Sequence, residues 1–230
     1  LIDKPKGVNS FRAVSVLRKV LNTKRVGFSG TLDPLASGLL IVANGKATRL
    51  LDWFHDLPKI YQADVLFGQD SDTYDMEGKT VVNKQAKAFD KKELEETLNN
   101  FLGKQNQVAP IYSAKKVAGQ KLYKLARAGK PVKAPSKEIE IHELKINKFK
   151  YPNLNLLVSA SAGTYIRSLA HDLGQTMETG AVLSDLKRIA IGDFMVKNAL
   201  ALEEVDKASL AKNKLAVQEV IDIINEHLAQ

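Results

Sequence analysis

The stretch Gly27-Phe28-Ser29-Gly30-Thr31-Leu32-Asp33-Pro34-Leu35-Ala36-Ser37-Gly38-Leu39-Leu40 constrains this chain more than any other. It holds three glycines, one proline and one carboxylate. Ser29-Gly30 is a turn signal. Pro34 has a locked φ and no N–H, and it biases Asp33 away from the helical region. Val26-Gly27 leads in and the apolar run Leu39 to Ala43 leads out, so Asp33 is expected on a stiff loop between two strands. Catalytic side chains concentrate on loops held by a rigid scaffold. The plain alternative is a tight turn in which Asp33 caps its own backbone.

Around this loop the chain alternates strands and helices. Leu1 to Gly7 reads as a short strand ending in a Pro/Gly turn. Ser10 is expected to cap a helix whose Val14, Leu17 and Leu21 share one face. Lys46 to Phe54 reads as helical and Ile60 to Gly68 as a strand. Asp90 with Glu93 suggests a capping box for a helix running through Phe101. Ile139 to Phe149 and Leu154 to Ala162 alternate as strands. A helix after Gly163-Thr164 carries Ile166, Leu169, Ala170 and Leu173 inward, with Tyr165 and Arg167 off the centre of that stripe. Gly180 to Ile191 holds a short helix or strand, and Leu215 to Leu228 an amphipathic helix. No repeat and no clean linker interrupts this order.

Charge narrows the partners. The net charge of +8 favours a polyanion, with RNA or DNA ahead of a membrane surface. The segment from Gln107 to Val132 interleaves Pro110, Tyr112 and Tyr123 with Lys115, Lys116, Lys121, Lys124, Arg127 and Lys130. Cations serve phosphates and rings serve bases; the same pattern also fits a solvated helix face. With no Cys, disulfides and thiolate metal sites are excluded, and the four His show no ligand spacing. The acidic segment Gln69 to Gly78 lacks the closing Glu and the glycine of a calcium loop. No apolar run approaches the ~20 residues that span a bilayer. The chain opens at Leu1 rather than Met, which leaves an N-terminal leader weakly excluded.

The motif Gly30-Thr31-Leu32-Asp33-Pro34-Leu35-Ala36-Ser37-Gly38 resembles the catalytic-aspartate motif of the TruB family of pseudouridine synthases. Lys59-Ile60-Tyr61 and Gly163-Thr164-Tyr165-Ile166-Arg167 resemble that family's tyrosine and arginine motifs, in the same order and with similar spacing. The run Pro110 to Tyr123 is similar to the bacterial-type insertion that clasps the T-arm of tRNA. The resemblance implies an α+β pseudouridine synthase fold: a central mixed, mainly antiparallel sheet with flanking helices and an RNA-clasping insertion near residues 107–135. It implies one catalytic domain over residues 1–230, without a separate C-terminal PUA-like domain.

The implied reaction converts the T-loop uridine at tRNA position 55 to pseudouridine. It is an isomerisation, so no cofactor and no metal are expected. The expected partner is the tRNA T-arm, with no membrane and no protein partner, in the cytoplasm. By the resemblance Asp33 is the catalytic carboxylate, acting as a nucleophile or as a base. Arg167 would pair with it and keep it ionised. Tyr61 would pack on the target base, Tyr165 and Leu186 would line the uracil pocket, and Lys115 and Lys116 would meet RNA phosphates. Phe28 stands where the family usually carries His; a phenyl ring still stacks but loses the hydrogen-bonding edge. One rival is a non-catalytic tRNA-binding folding factor that uses the same cleft, which would not require Asp33, Tyr61 and Arg167 together. Another is a guide-dependent rRNA pseudouridine synthase, which the bacterial-type insertion disfavours.

Overall fold

A computed structural model describes residues 1–113, 115–117, 119–129 and 131–228, with the side chains of Lys116, His227 and Leu228 outside the described set. In chain order the strands begin with β1 (Ile2–Lys4), β2 (Val26–Ser29), β3 (Ala36–Asn44), β4 (Lys59–Phe67), β5 (Gln69–Ser71), β6 (Thr80–Val82) and β7 (Gly103–Val108). They continue with β8 (Lys116–Val117), β9 (Gln120–Lys121), β10 (Ser136–Lys150), β11 (Asn153–Ala160), β12 (Ala181–Ile191), β13 (Phe194–Met195) and β14 (Leu200–Ala201). The helices are α1 (Ser10–Val20), α2 (Trp53–Asp56), α3 (Lys91–Asn99), α4 (Leu122–Arg127), α5 (Ile166–Thr176), α6 (Lys207–Asn213) and α7 (Val217–Leu228). Two compact units divide the chain: residues 1–61 with 187–230, and residues 62–186.

In the first unit the strand order is β14-β1-β3-β12, with β2 paired to β3 and β13 to β12. β1 runs parallel to β14 and antiparallel to β3, and β2 is antiparallel to β3. α1 forms because Ala13, Val14 and Leu17 recur on one face and bury against Ile2, Val26, Leu40, Leu200 and Leu202. Arg12, Arg18 and Lys19 stay exposed. The cap is one residue earlier than the sequence suggests. Asn9 accepts from the Arg12 N–H at 2.9 Å. Ser10 is buried and its hydroxyl serves the Asp33 loop instead, as described below. The expected helix over 46–54 is a 3-10 turn (Gly45–Leu50) followed by the short α2.

In the second unit β12, β4, β11, β10 and β7 lie in that order. β10 pairs antiparallel with both β11 and β7. In β11 Leu154, Leu156, Val158 and Ala160 are buried in strict alternation, as period-2 geometry requires of a strand with one covered face. α3 is capped by Asp90, which accepts from the Glu93 N–H, and ends at Asn99 rather than Phe101. α5 buries Ile166, Leu169, Ala170 and Leu173 as its sequence predicts. Residues 181–191 settle as strand β12. Part of the acidic segment is a hairpin, with β5 paired to β6. The architecture is thus α+β, a mixed, mainly antiparallel sheet with helices.

Candidate active site

In the first unit Asp33 is half-buried on the turn between β2 and β3. Four hydrogen bonds hold that turn. The Ala36 N–H donates to the Asp33 carbonyl at 3.1 Å, and the Gly7 N–H donates to the Pro34 carbonyl at 2.7 Å. Ser10, 1% exposed, donates its hydroxyl to the Leu32 carbonyl at 3.0 Å and accepts from the Leu32 N–H at 2.9 Å. One side chain thereby satisfies both backbone groups of the residue before Asp33.

Arg188, also in the first unit, bonds this loop and the strand after it. Arg188 on β12 donates Nε to the Leu39 carbonyl at 2.8 Å and Nη2 to the Gly30 carbonyl at 2.9 Å. Burial pushes its guanidinium down from the ordinary range, against an opposing electrostatic pull from Tyr61. Tyr61 itself is buried on β4. Nearby on the chain, Lys59 is buried with its Nζ donating to the carbonyls of Phe54, His55 and Leu57. Phe28 is half-buried on β2, packs against the α1 core and meets Phe11 edge-on at 5.3 Å. Phe11 is 65% exposed, so the two rings reach from the core to solvent.

In the second unit Arg167 is buried at the start of α5. Its Nη1 lies 3.8 Å from Asp75 Oδ2 and donates to the Thr73 carbonyl, and its Nη2 donates to the Tyr112 carbonyl at 3.1 Å. Asp75 is buried too, and accepts from the Thr73 hydroxyl and the Glu77 N–H. Between them Tyr74 adopts φ +65° and stacks on His171 at 3.9 Å. Burial, then the charges of Asp172 and Asp70, push the Tyr74 phenol up; burial pushes the Asp172 carboxyl up against the opposing pull of His171.

Tyr165 is half-buried just before α5, and its backbone is clamped by Gln107. Gln107 Nε2 donates to the Tyr165 carbonyl, and the Tyr165 N–H donates back to Gln107 Oε1 at 2.8 Å. Tyr165, Gln107, Lys115, Lys137 and Gly163 line a cavity of about 100 Å³. Leu186 is buried on β12. Lys115 is exposed, and Lys116 lies on β8 with its side chain outside the described residues. In the same segment Tyr123 has Lys121 Nζ and the Arg127 guanidinium each 5.8 Å from its ring centre.

Sequence reasoning overlooks Ser10 as a loop tether, Arg188, Asp75 and Gln107. A signal existed for Arg188: in β12 the alternation Leu186, Arg188, Ala190 places it on the buried face. Asp75 sat in an acidic run that charge alone could not resolve. Among the described residues no group of three His, Cys, Asp or Glu could hold a metal ion, and no helix is long and apolar enough to cross a membrane.

Comparison with known proteins adds a second line. The model described as TruB family pseudouridylate synthase (N terminal domain) matches residues 18–166, and that described as tRNA pseudouridylate synthase B C-terminal domain matches residues 167–228. A protein named tRNA pseudouridine synthase B from Clostridium kluyveri is 38% identical over 96% of this chain and 76% of its own length. Its namesake from Thermosipho melanesiensis is 39% identical over 96% of this chain and 72% of its own length. Among solved structures, a Cbf5-Nop10-Gar1 complex matches at a TM-score of 0.69 and 25% identity, over 92% of this chain and 54% of that one. The archaeal box H/ACA sRNP Nop10-Cbf5 complex matches at 0.64 and 23%, over 88% and 50%. The chain therefore spans about half the length of these solved chains.

Proposed function

The chain belongs to the TruB family of pseudouridylate synthases, and we propose that it converts a tRNA T-arm uridine, that at position 55, to pseudouridine. The observation that carries this reading is the Asp33 loop. Its backbone is held by Ser10, by Gly7 and by Arg188, so the carboxylate is presented from a rigid turn. Preorganisation of that kind is what positioning catalysis needs.

The C1′–N1 bond of the uridine breaks and a C1′–C5 bond forms. C5 loses its proton to solvent and N1, freed from C1′, takes one up, so the product is an isomer. Asp33 serves either as nucleophile on the sugar or base, or as base on the ribose. Tyr61 packs on the base; Tyr165 and Leu186 line the uracil pocket. Arg167, held by Asp75, supplies a buried guanidinium to the chemistry. Residues 107–135, Lys115 and Lys116 among them, clasp the T-arm through its phosphates. The T-loop base is stacked in folded tRNA and must be flipped out to react. The named relatives are bacterial, which fits action in the cytoplasm.

The test is tritium release from T-arm RNA labelled at uridine C5. Release by the wild-type chain, lost in Asp33→Asn while RNA binding stays within about tenfold, is the expected result. Binding without any release from the wild type would make the chain a folding factor instead.

A further inference from the structure

We propose that Arg188 is a positioning residue for this reaction, tying the start of the Asp33 loop at Gly30 to the following strand at Leu39; the inference rests on the function proposed above. The guanidinium is 2% exposed. A buried cation is expensive to desolvate, and an apolar side chain of similar size fills space at lower cost. What an apolar side chain cannot do is donate in two directions from one rigid plane.

Arg188 uses that fork on the loop's start and on the strand that follows it. Nη2 takes the Gly30 carbonyl, three residues before Asp33, and Nε takes the Leu39 carbonyl, six residues after it. Gly30 lies against this side chain, and Gly38 against the backbone that carries it. Gly30 sits at φ +71°, and a Cβ there would lie 3.1 Å from Arg188 Nη1. Gly38 sits at φ +104°, and a Cβ there would lie 2.2 Å from the Arg188 carbonyl oxygen and 2.8 Å from its nitrogen. The positive φ favours glycine at both positions, and at Gly38 the close approach of the β12 backbone also leaves no room for a Cβ.

Arg188 therefore ties the first residue of the Asp33 loop to the strand that follows it.

The experiment compares the wild-type chain with Arg188→Lys and Arg188→Met. Lysine keeps the charge but cannot reach two carbonyls with a planar fork. Four quantities are measured: the single-turnover rate of tritium release at saturating T-arm RNA, the RNA Kd, the melting temperature, and amide exchange at Leu32 and Ala36, with Leu169 as control. In Arg188→Lys we expect the rate to fall about 100-fold, the effect of a misplaced reacting group. Kd should stay within about threefold, and Leu32 and Ala36 should exchange faster while Leu169 does not. Arg188→Met should be slower still. A wild-type rate in Arg188→Lys overturns the proposal. So does a fall in rate that tracks equal losses in Kd, melting temperature and all three amides, since that describes general destabilisation. If the wild type itself releases no tritium, the proposed function fails separately. The exchange at Leu32 and Ala36 then decides the clip: faster exchange supports it and unchanged exchange overturns it.

Discussion

Replacing Ser10 by Ala removes one oxygen atom, and its effect follows from what that oxygen bonds. The hydroxyl donates to the Leu32 carbonyl and accepts from the Leu32 N–H. Ser10 and Leu32 are both buried. Each hydrogen bond has a net value of about 1 kcal/mol, and a buried group left unsatisfied costs about 1–3 kcal/mol. Two groups of Leu32 lose their partner, which sets the gross loss at about 2–6 kcal/mol. Alanine is the better helix former at the start of α1 and returns about 0.5 kcal/mol. The net loss is about 1.5–5.5 kcal/mol, or roughly 3–22 °C of melting temperature at about 2–4 °C per kcal/mol for a chain of this size. Because Leu32 adjoins Asp33, the tritium-release rate should fall as well, at temperatures where the variant is folded. Asn9→Ala is the control: it removes the actual cap of α1, costs about 1 kcal/mol, and leaves the loop tether in place. Thermal melting and the release assay are run on both. A Ser10→Ala protein that melts within about 1 °C of the wild type, with an unchanged rate, would refute the tether.

Three further outcomes are expected. Phe28→Leu keeps apolar volume beside the α1 core but loses the ring, so melting should change little while the RNA Kd rises by the roughly 1–3 kcal/mol of one base stack; an unchanged Kd would confine Phe28 to the core. Lys115→Ala should lower the magnitude of the log K versus log salt slope for T-arm RNA by about 1, and an identical slope would take Lys115 off the phosphates. Burial holds the Asp172 carboxyl above its ordinary value, so the folded state binds its proton more tightly than the unfolded one; this contribution is present at acid pH and is lost as pH rises from the ordinary carboxylate value through the folded one. Asp172→Asn should therefore raise the melting temperature at pH 7 and leave it unchanged near pH 3, and a drop at pH 7 would contradict the assignment.

The periodicities that specify α1, α5 and β11 are local, and the sequence shows them directly: Val14 with Leu17, Ile166 with Leu169 and Leu173, Leu154 with Leu156 and Val158. The Asp33 turn is legible for the same reason, because Gly30 and Pro34 restrict their own backbone and that of their neighbours. Tyr61 and Arg167 are singled out in the sequence by the resemblance of their motifs to the family's. Where the reading failed, the deciding partner was distant. Ser10 looks like a cap because Ser before an apolar run caps helices, yet its hydroxyl is taken by Leu32, 22 residues away, and the cap falls to Asn9.

By itself, then, the sequence determined α1, α5, β11, the family and the loop that carries Asp33, since these depend on residues close together in the chain. Tertiary structure alone decided what holds each functional group still. Arg188 reaches the Asp33 loop across 158 and 149 residues, and Gln107 clamps Tyr165 across 58. A buried guanidinium or amide must find its acceptors wherever the fold brings carbonyls to it, and no local pattern encodes that meeting. Asp75 beside Arg167 is of the same kind: an acidic residue in a run of acidic residues until burial forces it to take a cation.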